Sequence, residues 1–314
     1  MSSPTTPTGP RTDEQPLPTA RPLRPDRLRL AIIAVATGIL VTLALVVFPA
    51  LAKVQDAAAK SQCINNLRQI GFALHNFNGQ HDRLPPALGW FPEAPQEGKE
   101  FRTGSYGNVF FTILPYLEGK SGYHTTKTPY EGGNAFFPWT NEFYKVSFKT
   151  YLCGSDPSVT SNGLTEDGWA LCSYAFNCQV FATADGESGR IRNLAGSARI
   201  PATFENGTAY TIMVTEKYAQ CSFAGGLWAY WDADYWLPAF GVWSSGEASK
   251  YQLRPASFKD SSCDPSRAST AHKDGITACM ADASVQTLLP DISARAWRHA
   301  CLMFAPPEDR GPEW

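Results

Sequence analysis

His272 is followed, after nine intervening residues, by Asp282, and this is the pair in the sequence best suited to proton transfer, with the imidazole as base and the carboxylate as its orienter. A base needs a nucleophile to activate. The sequence offers no G-x-S-x-G or S-x-x-K motif, so the structural alternative is preferred and no residue is read as catalytic. In that reading Lys273-Asp274-Gly275 turns the chain, Ile276–Met280 is a strand, and Asp282 lies in the turn before a strand Val285–Leu288. A mutual hydrogen bond between His272 and Asp282 then fixes the hairpin.

Metal chemistry is confined to Ca²⁺, which takes clustered carboxylates and carbonyls. Asp156 and Asp282 are the leading positions, with Asp232, Asp234, Asp260 and Asp264 behind them, but none has D-x-[DN]-x-[DN]-G spacing. No resident cofactor is expected. His299 and Cys301 stand two apart on an expected helix, so their side chains diverge. All eight cysteines (63, 153, 172, 178, 221, 263, 279 and 301) follow the apolar run 30–52, without a C-x-x-C pair. Disulfides fit an oxidising compartment. The preferred clip is Cys153–Cys172 or Cys153–Cys178, with buried free thiols as the alternative.

The stretch Phe223–Trp243 holds eight aromatics in 21 residues, among them Trp228, Tyr230, Trp231, Trp236 and Trp243, around Asp232 and Asp234. Buried, these residues make a β core with partial alternation. Exposed, they make a platform for a glycan, a small solute or a protein partner.

Composition sets the frame that must position these groups. The 314 residues are 43% apolar and 18% charged, with a net charge of −2, so a global basic field for nucleic acid is absent. Residues 1–29 are Pro- and Arg-rich and read as a disordered cytoplasmic tail. Residues 30–52 form 23 uncharged, largely apolar positions, enough as a helix to cross a ~30 Å hydrocarbon core. Arginines ahead of this span keep the N-terminus cytoplasmic. The helix is expected to continue through 53–78, where Val54, Ala57, Ile64, Leu67, Ile70, Leu74 and Phe77 mark one face. Residues 79–305 read as a β-rich head, with strands at Val109–Leu114, Thr208–Val214 and Ile276–Met280 and a helix at Asp291–Phe304. Residues 306–314 form a polar tail.

A long N-terminal helix feeding a β-rich head resembles the layout of type IV pilins and type II secretion pseudopilins. The stretch Cys63 to Phe77, with Asn66, Leu67, Gly71 and His75, resembles the helix of a bacterial prepilin-like family named for a His-x9-Asp-Gly signature and also known as a solute-binding-type domain. Further matches follow in order: Leu114–Glu118, Tyr151–Pro157 with Cys153, Asp156 and Pro157, Ser173–Asn177, Asn206–Glu216 with Gly207 and Glu216, and His272 with Asp282. The chain has Asp282-Ala283 where that signature ends in Asp-Gly. The expected Gly–Phe cleavage point falls on Arg27-Leu28 and the acidic residue of the mature helix falls on Ile32, so a prepilin peptidase is not expected to cut here and a conventional pilus subunit is not expected. The resemblance implies an α+β, pilin-like fold in a single-pass inner-membrane protein with a periplasmic head. It also implies a non-enzymatic pseudopilin-like subunit that docks to protein partners through Val54–Phe77. The alternative is a membrane-anchored solute- or glycan-binding module using Trp228–Trp243.

Overall fold

Periodicity predicts one helix through the apolar run and beyond it, and the computed structural model, which describes residues 25–117, 120–184, 190–242 and 246–304, contains it. Helix α1 spans Pro25–His81. The tails before 25 and after 304, Glu118 and Trp243 lie outside the described residues. The chain divides into two units after Val54. In the first, large apolar side chains are exposed, Leu40 at 67% and Phe48 at 71%. Among the described residues no helix is long and apolar enough to cross a membrane; the side chains at 44, 46, 49 and 52, inside the apolar run, are not among them.

In the second unit α1 presents Cys63, Leu67, Ile70, Leu74 and Phe77 to the main core. Around it the fold is mixed α and β with several sheets. Strands β1 (Leu88–Phe91), β2 (Thr103–Asn108), β3 (Lys127–Tyr130) and β4 (Gly133–Phe136) form one sheet in the order β1-β2-β4-β3. The central sheet is built from β5 (Tyr174–Asn177), β8 (Ile212–Glu216), β11 (Ala239–Phe240), β14 (Ile276–Met280) and β15 (Val285–Leu288), in the order β11-β5-β8-β14-β15. Within this sheet, among the described residues, the β11/β5 pair is parallel and the other pairs are antiparallel. Among the described residues there are also three small ribbons: β6 (Thr183–Ala184) with β7 (Ile191–Asn193), β9 (Gln220–Cys221) with β10 (Ala224–Gly225), and β12 (Gln252–Leu253) with β13 (Ser269–Thr270).

Strands β5, β8 and β14 are buried at every residue, so both faces of the central sheet are covered. Period-2 alternation divides the cover. Cys279 and Val214 join the core that α1 enters, whereas Ile276, Ala278 and Met280 meet Trp297, Ala300 and Cys301 of the C-terminal helix Ala294–Cys301. Ser293 caps that helix by accepting from Ala296 N at 3.1 Å.

Two expected strands differ. Val109–Thr112 is a short helix, because the Asn108 side chain caps it by accepting from Phe110 N and Phe111 N, and Pro115 opens a 3-10 turn just beyond. The Thr208–Val214 strand begins only at Ile212, since Gly207 at φ +92° starts a turn through Tyr210.

Candidate functional site

Four side chains from four separate sequence motifs converge in the head. Cys63 projects from α1, Cys153 follows the 3-10 turn Lys149–Tyr151, Glu216 ends β8, and His272 lies two residues beyond β13. Their sulfur, carboxylate and imidazole atoms lie within 4.8 Å of one another, and all four residues are buried. Cys63 and Cys153 are joined as a disulfide across 90 residues of sequence, tying α1 to the head.

His272 Nε2 sits 3.7 Å from Cys153 Sγ and 3.2 Å from Glu216 Oε1. The second contact has ion-pair distance but not hydrogen-bond alignment, so Glu216 Oε1 is a buried carboxylate oxygen without a donor. Its sister atom is held firmly: Oε2 accepts from Thr270 Oγ1 at 2.6 Å and from Thr277 N at 3.1 Å. Thr270 Oγ1 also accepts from His272 N at 3.1 Å, which positions both side chains from one strand end. A relay of the Ser-His-Asp kind uses opposite ring nitrogens for nucleophile and orienter. Here sulfur and carboxylate share Nε2, an arrangement suited to a common central ligand rather than to a relay.

The expected bond between His272 and Asp282 is not formed. The five residues of β14 separate them at ~3.4 Å each. Asp282 is exposed in the β14–β15 turn, where its Oδ1 accepts from Ser284 N at 2.8 Å. Ala283 holds the left-handed conformation (φ 64°) that a glycine would adopt more freely. That turn also meets the helix: His75 Nε2 is 2.9 Å from Ala281 O, and a Cβ on Gly71 would lie 2.6 Å from Cys279 Sγ and 3.3 Å from Ala283 Cβ.

The expected partners of Cys153 are also corrected. Cys172 and Cys178 remain thiols, as do Cys279 and Cys301, while Cys221 pairs with Cys263. Burial pushes Cys178 and Cys279 up to about 12 and raises Cys172 and Cys301 further, so none of the four is a ready nucleophile.

Asp156 is not a Ca²⁺ ligand in this arrangement, because both its oxygens are occupied. Oδ1 accepts from Ser158 N and Oγ, and Oδ2 from Ser173 Oγ and Ala219 N, all within 2.9 Å. Burial raises its pKa against those bonds. Pro157 beside it is exposed. Asn66 is a second polar staple, with Nδ2 donating to Lys149 O, Leu152 O and Tyr174 Oη. Leu67 and Ile70 are wholly buried against the head, so that face of the Val54–Phe77 segment is already taken. Arg68, Phe72 and Asn76 face outward, Phe72 at 59% exposure.

The aromatic stretch is divided between core and surface, and it is loop rather than strand from Leu227 to Pro238. Trp228 is fully buried, with Nε1 donating to Val146 O at 2.9 Å. Tyr230, Trp231 and Trp236 are half-buried, and Asp232 and Asp234 are exposed. The Trp231 ring lies 4.7 Å from Trp169 and 5.1 Å from Trp139, and Tyr230 Oη donates to Asp234 Oδ2 at 2.6 Å. Trp139 and Trp169 stand alone in distant loops, so no local pattern announces them. Lys217 was equally silent in sequence: wholly buried, its Nζ donates to Ala239 O at 2.8 Å, and burial lowers its pKa to about 8.

The fold and these staples define a mixed α+β head whose core includes the Cys63–Phe77 stripe of α1. A family described as a protein of unknown function (DUF1559), with a bacterial solute-binding designation, matches residues 53–294, and the chain belongs to it. No curated protein and no solved structure matches the chain.

Proposed function

We propose that the protein is a membrane-anchored, pseudopilin-like structural or interaction subunit of a cell-envelope assembly, and not an enzyme. The observation that carries this reading is a single helix with two burial regimes. From Leu30 to Val54 its described large apolar side chains are exposed, between 42% and 71%, a surface that water disfavours and a hydrocarbon core accepts. From Cys63 to Phe77 one stripe of the same helix is core of the head. In this reading residues 30–52 span the inner membrane, the arginine-rich N-terminus is cytoplasmic, and the head with its two disulfides is periplasmic. Partner contacts then fall on the outward stripe of Arg68, Phe72 and Asn76. Cross-linking of the full chain in mild detergent tests this: oligomers should form and weaken in Phe72→Glu, and a strictly monomeric, folded wild type would overturn the reading.

A second reading is favoured by the aromatic surface. Trp139, Trp169, Tyr230 and Trp231, rimmed by the exposed Asp232 and Asp234, offer stacking faces beside hydrogen-bond acceptors, the chemistry a glycan ring requires. The family's solute-binding designation agrees with it. Binding of an envelope polysaccharide fragment, followed by tryptophan fluorescence and blunted by Trp231→Ala, supports this reading; an unchanged spectrum at saturating ligand removes it.

A further inference from the structure

We propose that the Cys63–Cys153 disulfide closes a latent metal site, and that reducing it creates a four-ligand S₂NO centre for a borderline-soft divalent cation such as Zn²⁺. Four donors of the right types already surround one point. They are the two sulfurs, His272 Nε2 and Glu216 Oε1, all buried and all within 4.8 Å of one another. A tetrahedral zinc with sulfur at ~2.3 Å and nitrogen or oxygen at ~2.0–2.1 Å needs ligand atoms roughly 3.3–3.8 Å apart. The observed 3.7 Å from Cys153 Sγ to His272 Nε2 and 3.2 Å from His272 Nε2 to Glu216 Oε1 fit that requirement.

The independent observation is Glu216 Oε1 itself. A carboxylate oxygen buried without a donor is costly and calls for a compensating partner. Thr270 and Thr277 fix Oε2 and leave Oε1 facing the sulfurs, the outer-shell support that ligating carboxylates have in metal sites. No imidazole relay explains the geometry, because sulfur and carboxylate share one ring nitrogen.

A dithiol reductant gives two electrons and two protons to the Cys63–Cys153 bond, which breaks to two thiols while the reductant closes to its own disulfide. Divalent metal then binds both sulfurs as thiolates and releases the two thiol protons. The sulfurs are free to part once the bond is broken. Oxidised, the pair clips α1 to the head; reduced and loaded, the metal makes the same connection through four ligands. The head thus keeps its grip on the helix in either redox state.

The test uses the full chain in mild detergent, reduced with a dithiol that is then removed anaerobically, and Co²⁺ as the probe. The proposal expects one Co²⁺ per reduced chain, with thiolate-to-cobalt charge transfer and tetrahedral visible bands, displaced by Zn²⁺. The oxidised chain should show neither. Binding should persist in Cys221→Ser/Cys263→Ser, disappear in Cys63→Ser/Cys153→Ser, and weaken at least tenfold in Glu216→Gln. Far-ultraviolet circular dichroism checks that each variant is folded. A folded, reduced wild type that binds no Co²⁺, or signal that survives Cys63→Ser/Cys153→Ser, overturns the proposal.

Discussion

Lys217 allows a quantitative test of how the head's interior is built. Its ammonium is buried beside the central sheet with one hydrogen bond, from Nζ to Ala239 O. A pKa of about 8 against an ordinary 10.5 means that keeping the charge buried costs the folded state roughly 3 kcal/mol, at ~1.4 kcal/mol per pH unit. Below pH 8 both folded and unfolded chains hold the proton and the whole cost is present. Between about 8 and 10.5 the unfolded chain keeps the proton while the folded chain has lost it, so stability contributed by this group rises with pH. Replacing Lys217 with Met removes the charge and keeps most of the volume. Losing the bond to Ala239 O costs about 1 kcal/mol, so Lys217→Met should be more stable than wild type by about 2 kcal/mol at pH 7. That advantage should vanish, or reverse, by pH 10.5. Urea titrations of both proteins from pH 7 to 10.5 measure the difference, in which the buried tyrosines and thiols common to both cancel. A difference that is constant across this range would refute the account of Lys217 as a buried, charged lysine.

Further outcomes concern the staples. Cys221→Ser/Cys263→Ser opens a loop of 42 residues and should cost about 4 kcal/mol on the chain-entropy account, read as a lower urea midpoint in the non-reduced protein. Gly71→Ala places a Cβ 2.6 Å from Cys279 Sγ and should destabilise by about 1–3 kcal/mol, with Cys279→Ala recovering part of the loss in the double variant. Asp156→Asn exchanges an acceptor of four hydrogen bonds for a group with two donors. It should cost about 2–3 kcal/mol, and it should not change Ca²⁺ binding measured by calorimetry.

The helix and the hairpin strands were legible because periodicity reports them directly. The stripe from Cys63 to Phe77 repeats at helical spacing and is buried as that spacing predicts, while Ile276–Met280 reads as a strand from its largely apolar run and Val285–Leu288 as its partner across the Asp282-Ala283-Ser284 turn. Val109–Thr112 misled because its β-branched and aromatic residues favour strand, while one side-chain cap from Asn108 outweighs that preference. The residues of the buried cluster were each visible in their own motifs, but not their meeting. Nothing local shows that residues 63, 153, 216 and 272 share one point, because strand order and helix docking bring them there. The same holds for Trp139 and Trp169, which acquire meaning only beside Trp231. His272 and Asp282, close in sequence, are parted by an extended strand.

In the proposed reading the N-terminal helix anchors the protein in the membrane. Intact mass of the protein extracted from carbonate-washed membranes, labelled with a thiol reagent under denaturing conditions before and after reduction, tests it most directly. The membrane-retained protein should be uncut at Arg27-Leu28, with four reactive cysteines before reduction and eight after. Recovery of the full-length chain in the soluble fraction, or of a species shortened at Arg27-Leu28, would contradict it.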